Sequence, residues 1–294
     1  MLFSYLSEVP NLRQRIITAV IAVAILIPFL IYSRTAAFLV LICFLSVLSA
    51  YELLGCVGLK KNLFAAVPTY ALALSVSIFT RAGGYGNESF ITVVFFHYFI
   101  YIMILFSVAV FSKGKIKFDD AAVLTVMMIY VTFGFAALVR LRDMEHGTLL
   151  YLMALVMPWV SDTFAYFSGW IFGKHKLIPD VSPKKTIEGA VGAIVCSAAA
   201  GIIYGVVCTT VLDVSVNYIL IGTIGALISL VAQCGDLIMS MVKRNYGIKD
   251  YGIILPGHGG ILDRFDSTIA VTSLVYIFYM IFPFFGSSML NLSI

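Results

Sequence analysis

Apolar runs of about twenty residues recur along the whole sequence, separated by short polar breaks. Nine stretches stand out, at 14–33, 36–55, 63–80, 90–112, 121–141, 148–172, 189–212, 218–242 and 267–286. About 20 apolar residues rising 1.5 Å each cross a hydrocarbon core of about 30 Å. The pattern therefore predicts an all-α, polytopic integral membrane protein with about nine transmembrane helices. Short segments of alternating polarity, as in an outer-membrane barrel, are absent. The first two stretches are parted only by Ser33-Arg34-Thr35, which predicts a tight hairpin. The third is short and carries Pro68, which leaves a tilted or partly re-entrant segment open.

Composition strengthens this reading. Of 294 residues, 61% are hydrophobic and 12% charged, where soluble domains carry about a quarter charged residues; mean hydropathy is +1.03. Five cysteines, Cys43, Cys56, Cys196, Cys208 and Cys234, lie in apolar stretches without CxxC spacing and read as small buried hydrophobes. Arg13 and Arg15 precede the first run, but no small-residue cleavage site follows it, so a cleavable signal is not expected.

The placement of Lys and Arg orients the helices. With the N-terminus cytoplasmic, fifteen of the 19 basic residues fall on the cytoplasmic face and four (Arg34, Arg81, Arg140 and Arg142) on the other. That bias follows the positive-inside rule. It puts the two long polar loops, 173–188 and 243–266, on the cytoplasmic side, and the uncharged C-terminal tail outside. The first half, 1–147, then reads as a transmembrane scaffold and 148–294 as a catalytic transmembrane region. In the scaffold Glu52 is the one notable acid, read as a snorkelling or locally paired side chain.

Candidate chemistry gathers in the second half. Asp162 and Asp236 lie inside apolar stretches, about 15 and 10 Å below their cytoplasmic ends at 1.5 Å per residue. Intramembrane carboxylates usually face a cavity, an ion or a partner. Gln233, Asp236, Ser240, Lys243 and Arg244 share one helical face and form a polar stripe. Small residues every four positions (Gly189, Ala193, Ser197, Gly201, Gly205; Ser161, Ala165, Gly169; Gly222, Ala226) predict close packing of the sixth, seventh and eighth helices. In the loop before the seventh helix, Ser182-Pro183 reads as an N-cap and first helical residue. That puts Lys184, Lys185 and Thr186 in a first turn, where lysines oppose the helix dipole unless an anion rests there.

The segment 240–267 is the richest in charge and glycine. Pro256-Gly257-His258-Gly259-Gly260 can bend sharply and approach a ligand closely. Asp263 and Asp266 follow with Arg264 between them, hard oxygen donors of the kind Mg²⁺ takes together with substrate phosphates. Carboxylates and cations crowded beside glycines suit phosphoryl or nucleotidyl transfer. His258 lacks zinc-site spacing and is read as a general acid, a phosphate-binding group or a structural residue.

At these positions the chain resembles the phosphatidate cytidylyltransferases, or CDP-diacylglycerol synthases. The family pattern S-x-x-K-R-x4-K-D-x-G-x3-P-G-H-G-G-x2-D-R-x-D is met throughout, at Ser240, Lys243-Arg244, Lys249-Asp250, Gly252, Pro256 to Gly260, Asp263-Arg264 and Asp266. SDTFAYFSG at 161–169, SPKKTIEG at 182–189 and Gly235-Asp236 also resemble that family. The resemblance implies Mg²⁺-dependent transfer of CMP from CTP to phosphatidic acid at the cytoplasmic surface of the cell membrane. It implies metal ligation by Asp236 and Asp263, and leaves a second metal ion open. By the same resemblance Lys184, Lys185, Lys243, Arg244, Lys249 and Arg264 bind phosphates. His258 joins Asp236, Asp263, Lys243 and Arg264 as a catalytic candidate. Asp162, Ser182, Thr186, Glu188, Asp250, Gly259, Gly260 and Asp266 complete the substrate-binding candidates. Membrane lipids are expected partners and nucleic acid is not; a homodimer stays open. The rivals are a CTP-dependent polyprenol or lipid kinase and an ion-coupled secondary transporter. The transporter is disfavoured because no matching pair of broken helices is found.

Overall fold

The computed structural model describes residues 12–82, 87–144, 146–212 and 216–281. Nine helices run through them: α1 Leu12–Ile31, α2 Ala36–Cys56, α3 Leu63–Ala82, α4 Asn87–Phe111, α5 Phe118–Asp143, α6 Gly147–Phe172, α7 Ile187–Leu212, α8 Tyr218–Asn245 and α9 Leu262–Ile281. Seven of them, α2 to α8, are long and apolar enough to cross a membrane. In α1 the corresponding apolar segment is shorter, Ile16–Ile31. The helices correspond to the nine apolar stretches, and the protein is a multi-pass membrane protein. The C-terminal tail and the first eleven residues lie outside the described residues.

Local sequence explains where the helices begin. Thr35 caps α2 by accepting from the Ala37 N–H, and the Asn62 side chain accepts from the N–H groups of Phe64 and Ala65 to start α3. The third stretch is a continuous helix, with Pro68 accommodated in its second turn. Cys43, Cys56 and Cys208 are buried as expected, but Cys196 is half-buried and Cys234 is exposed on α8.

The chain forms two compact units: Met1–Val139 with Asn245–Phe265, and Arg140–Arg244 with Asp266–Ile294. The division does not follow the two sequence halves, because the stretch after α8 belongs with the first unit. In that unit α2 packs on α3 and α3 on α4. Thr69 of α3 bonds the Tyr101 hydroxyl of α4 at 3.1 Å, and Tyr98 of α4 donates to the Ile129 carbonyl of α5 at 3.1 Å.

In the second unit α6 packs extensively along α7. A Cβ on Gly189 would lie 2.7 Å from the Ala165 carbonyl oxygen of α6, and one on Gly225 of α8 would run into the Ser197 carbonyl of α7. Ser161 of α6 and Ser229 of α8 share a 2.8 Å hydrogen bond. The small-residue ridges thus bring these three helices together, as the spacing predicts. Gly189→Val and Gly225→Val are each expected to destabilise the protein by about 1–3 kcal/mol through overpacking. A lowered thermal midpoint in detergent checks this, and unchanged midpoints would mean the contacts contribute little.

A candidate active site of carboxylates and lysines

The loop after α6 departs from its sequence reading. Ser182–Thr186 does not open a helix. It forms β2 and pairs antiparallel with β1, Lys176–Ile178, joining Lys176 to Thr186 and Ile178 to Ser182. Pro183 explains part of this, because it pushes the preceding Ser182 out of the helical region. The N-cap is Thr186, whose hydroxyl accepts from the Gly189 N–H at 3.1 Å. Glu188, not a lysine, then occupies the first turn, as the dipole favours. Its carboxylate accepts from the backbone N–H groups of Lys174 and His175 and bonds His175 Nδ1 at 2.6 Å, tying the hairpin base to the helix start. Lys184 and Lys185 therefore sit on a strand and do not oppose a helix dipole.

The displaced Lys185 has a specific partner. Its ammonium forms an ion pair with Asp236 Oδ2 on α8, with both side chains about four-fifths buried, at 21% and 24% exposure. The Ser240 hydroxyl, one turn along, approaches Asp236 Oδ1 at 3.5 Å. Lys243 is buried on the same face at 8% exposure and acts electrostatically on Asp236. Gln233 continues the stripe inward, donating to Ser229 Oγ at 3.2 Å and to the Ala190 carbonyl at 3.4 Å. Arg244 is exposed, and its Nε points to the Val181 carbonyl of the hairpin at 3.4 Å.

Across from this stripe stands the Asp266 carboxyl of α9, buried and close enough to Asp236 to act on it electrostatically. Asp266 Oδ1 accepts from the Ser267 N–H at 2.8 Å, and the Ser267 hydroxyl donates to Asp162 Oδ2 at 3.1 Å. Asp162 is itself exposed on α6 but close enough to act on Asp266. Three carboxylates from three helices therefore meet beside Lys185 and Lys243. Of these, the sequence singles out Asp162 and Asp236 as intramembrane acids, and Asp266, with Asp263, as an oxygen donor of the kind Mg²⁺ takes.

Such crowding bears on a metal. Carboxylates in mutual contact repel unless a cation or proton stands between them. The oxygen-only donor set suits Mg²⁺, which takes one or two carboxylates and leaves the remaining positions to water and phosphate. Among the described residues, no three His, Cys, Asp or Glu side chains form a ready protein cage for a metal.

The rest of the loop belongs to the first unit. Asp263 Oδ2 accepts from the Tyr251 N–H at 2.8 Å and the Gly260 N–H at 2.9 Å. Gly257 and Gly259 take φ of 78° and 84°, which a side chain rarely adopts, so the Pro256–Gly260 turn depends on them. Leu255 and Gly259 pair across the turn, and the Arg264 Nε donates to the His258 carbonyl at 2.8 Å. Lys249 and Asp250 are exposed, and His258 is half-buried.

Glu52 was undervalued by the sequence reading. It is fully buried near the end of α2, and its two carboxylate oxygens accept from the N–H groups of Ile261 and Leu262, each at 2.9 Å. Those groups open α9, so Glu52 caps the helix carrying Asp263 and Asp266 from about 200 residues away in sequence. Gly252 and Gly260 pack against it, leaving no room for a side chain. An acid near the end of an apolar helix was the only signal, and it did not name its partner.

Residues 13–282 match the Cytidylyltransferase family. The chain belongs to that family. It is 36% identical over 273 residues to the phosphatidate cytidylyltransferase of Staphylococcus saprophyticus, covering 90% of this chain and 98% of that one. The phosphatidate cytidylyltransferase of Staphylococcus epidermidis is 37% identical over 267 residues, covering 90% and 98%. That of Bacillus subtilis is 33% identical over 278 residues, covering 92% and 99%. In each case the similarity takes in both compact units, so the first unit belongs to the family as fully as the second.

Proposed function

We propose that the protein is a membrane-embedded CTP:phosphatidate cytidylyltransferase that forms CDP-diacylglycerol and pyrophosphate. The observation carrying this reading is the similarity over nine-tenths of the chain to enzymes of that name, together with the carboxylate and lysine cluster of the second unit. In the proposed reaction a phosphatidate phosphate oxygen attacks the α-phosphorus of CTP. A new P–O–P link forms, the α–β phosphoanhydride breaks, and the bonding electrons leave with pyrophosphate. A phosphate monoester is mostly ionised at neutral pH, so no strong base is needed. Positioning and charge neutralisation carry the rate.

The chain's own residues divide that work. Asp236 and Asp263 are the proposed metal ligands, with Asp266 against Asp236 as a further carboxylate. A bound Mg²⁺ would offset charge growing on the leaving pyrophosphate. Lys185 neutralises Asp236 and, were a divalent cation bound there instead, would be placed to hold a phosphate. Lys243, Arg244, Lys249, Lys184 and Arg264 supply further positive charge. Ser267, whose hydroxyl bonds Asp162, holds Asp266 in place through its N–H. The basic bias of the polar loops supports an active site facing the cytoplasm, where CTP is made.

Labelled CTP, phosphatidate and Mg²⁺ incubated with the purified protein are expected to yield labelled CDP-lipid and free pyrophosphate. EDTA should abolish both, and added Mg²⁺ should restore them. Lipid phosphate with CDP as the products would instead make the protein a lipid kinase, and undiminished turnover in EDTA would remove the metal.

A further inference from the structure

In the first unit the α2–α3 turn and the end of α4 open onto a cavity of about 1240 Å³. That exceeds the roughly 300–1,000 Å³ typical of small-molecule pockets. Lys61 lines it from one turn, and Lys113 and Lys115 from the other, with no acidic residue among its lining. Its wall is apolar and open, with Phe64, Met103 and Phe111 exposed by 78%, 50% and 82%. Lys113 has a φ of 53° and Gly114 one of 80°. A lysine rarely adopts the left-handed region, and strain of this kind tends to collect where a segment meets a ligand. None of these residues belongs to the carboxylate and lysine cluster.

A nucleotide does not match such a cavity, because its walls offer apolar surface where a base and ribose need hydrogen bonds. A zwitterionic lipid brings no net negative charge to the three ammonium groups, and an anionic one does. We infer that the groove is a second lipid site, holding one diacyl phospholipid with an anionic headgroup. The acyl chains lie along Phe64, Met103 and Phe111, and the headgroup phosphate meets Lys61, Lys113 and Lys115. Each lysine near an anionic headgroup adds attraction that neutral lipid lacks. The site would bind an anionic lipid of the surrounding leaflet.

Native mass spectrometry of the full-length protein in detergent, titrated with phosphatidylglycerol or phosphatidylcholine, tests this. The wild type is expected to retain one phosphatidylglycerol about tenfold more tightly than phosphatidylcholine. The triple variant Lys61→Gln/Lys113→Gln/Lys115→Gln should lose that preference, and the Lys→Arg triple should keep it. Lys115→Gln alone, a milder change, should lose part of it. Equal retention of both lipids by the wild type, or an undiminished preference in the Gln variants, would overturn the site. No CTP is present, so failure here leaves the proposed nucleotidyl transfer untouched.

Discussion

Asp266→Asn is expected to raise the thermal stability of the metal-free protein while lowering CDP-diacylglycerol synthesis about a hundredfold or more. Asp266 is buried against Asp236, with Asp162 adding to the negative field. An asparagine needs no proton or cation between it and Asp236, and its carbonyl still accepts from the Ser267 N–H that now bonds Asp266 Oδ1. A gain of about 1 kcal/mol is of the size commonly found when a strained functional site is relaxed. Asp236→Asn should show the opposite sign in stability. It strips Lys185 of its ion-pair partner, and breaking a largely buried pair costs about 1–3 kcal/mol once partial solvent exposure is allowed for. Both variants should be inactive. Thermal denaturation in EDTA, paired with turnover of labelled CTP, reads both effects at once. If both stay active, the cluster is a structural network and not a catalytic site.

Glu52→Ala is expected to reduce kcat about a hundredfold although Glu52 lies in the second helix. The substitution leaves the Ile261 and Leu262 N–H groups buried without their acceptors. Losing both bonds costs about 2–3 kcal/mol, which corresponds to about a hundredfold in rate if it falls on the placement of the first turn of α9. Glu52→Gln keeps a carbonyl acceptor and should retain about a tenth of the activity. A positioning role predicts a fall in kcat with little change in KM for CTP, partly rescued by Gln. Equal losses in Ala and Gln variants, tracking the fraction of folded protein, would reduce Glu52 to a stability residue.

The sequence by itself determined the solvent and the chemistry. Apolar runs matched to bilayer thickness predict the helices, because each run must satisfy its own backbone in lipid. Glycines and serines at four-residue spacing predict that α6, α7 and α8 approach closely, since only small side chains permit it. Asp162 and Asp236 stand out because a carboxylate in an apolar stretch needs a reason. These are local properties, and a single chain displays them.

Tertiary structure decided which of those groups meet. In the stretch before α7 the Ser182-Pro183 signal for a helix start competes with strand pairing. Pairing with Lys176–Ile178 settles the choice, moving the N-cap to Thr186 and Lys185 onto Asp236. Asp263 and Asp266 are three residues apart, yet one anchors the glycine loop through Tyr251 and Gly260 while the other joins Asp162 and Asp236. Glu52 reaches α9 across about 200 residues. Each of these contacts comes from packing between elements remote in sequence, and hydropathy and spacing within one chain carry no record of them.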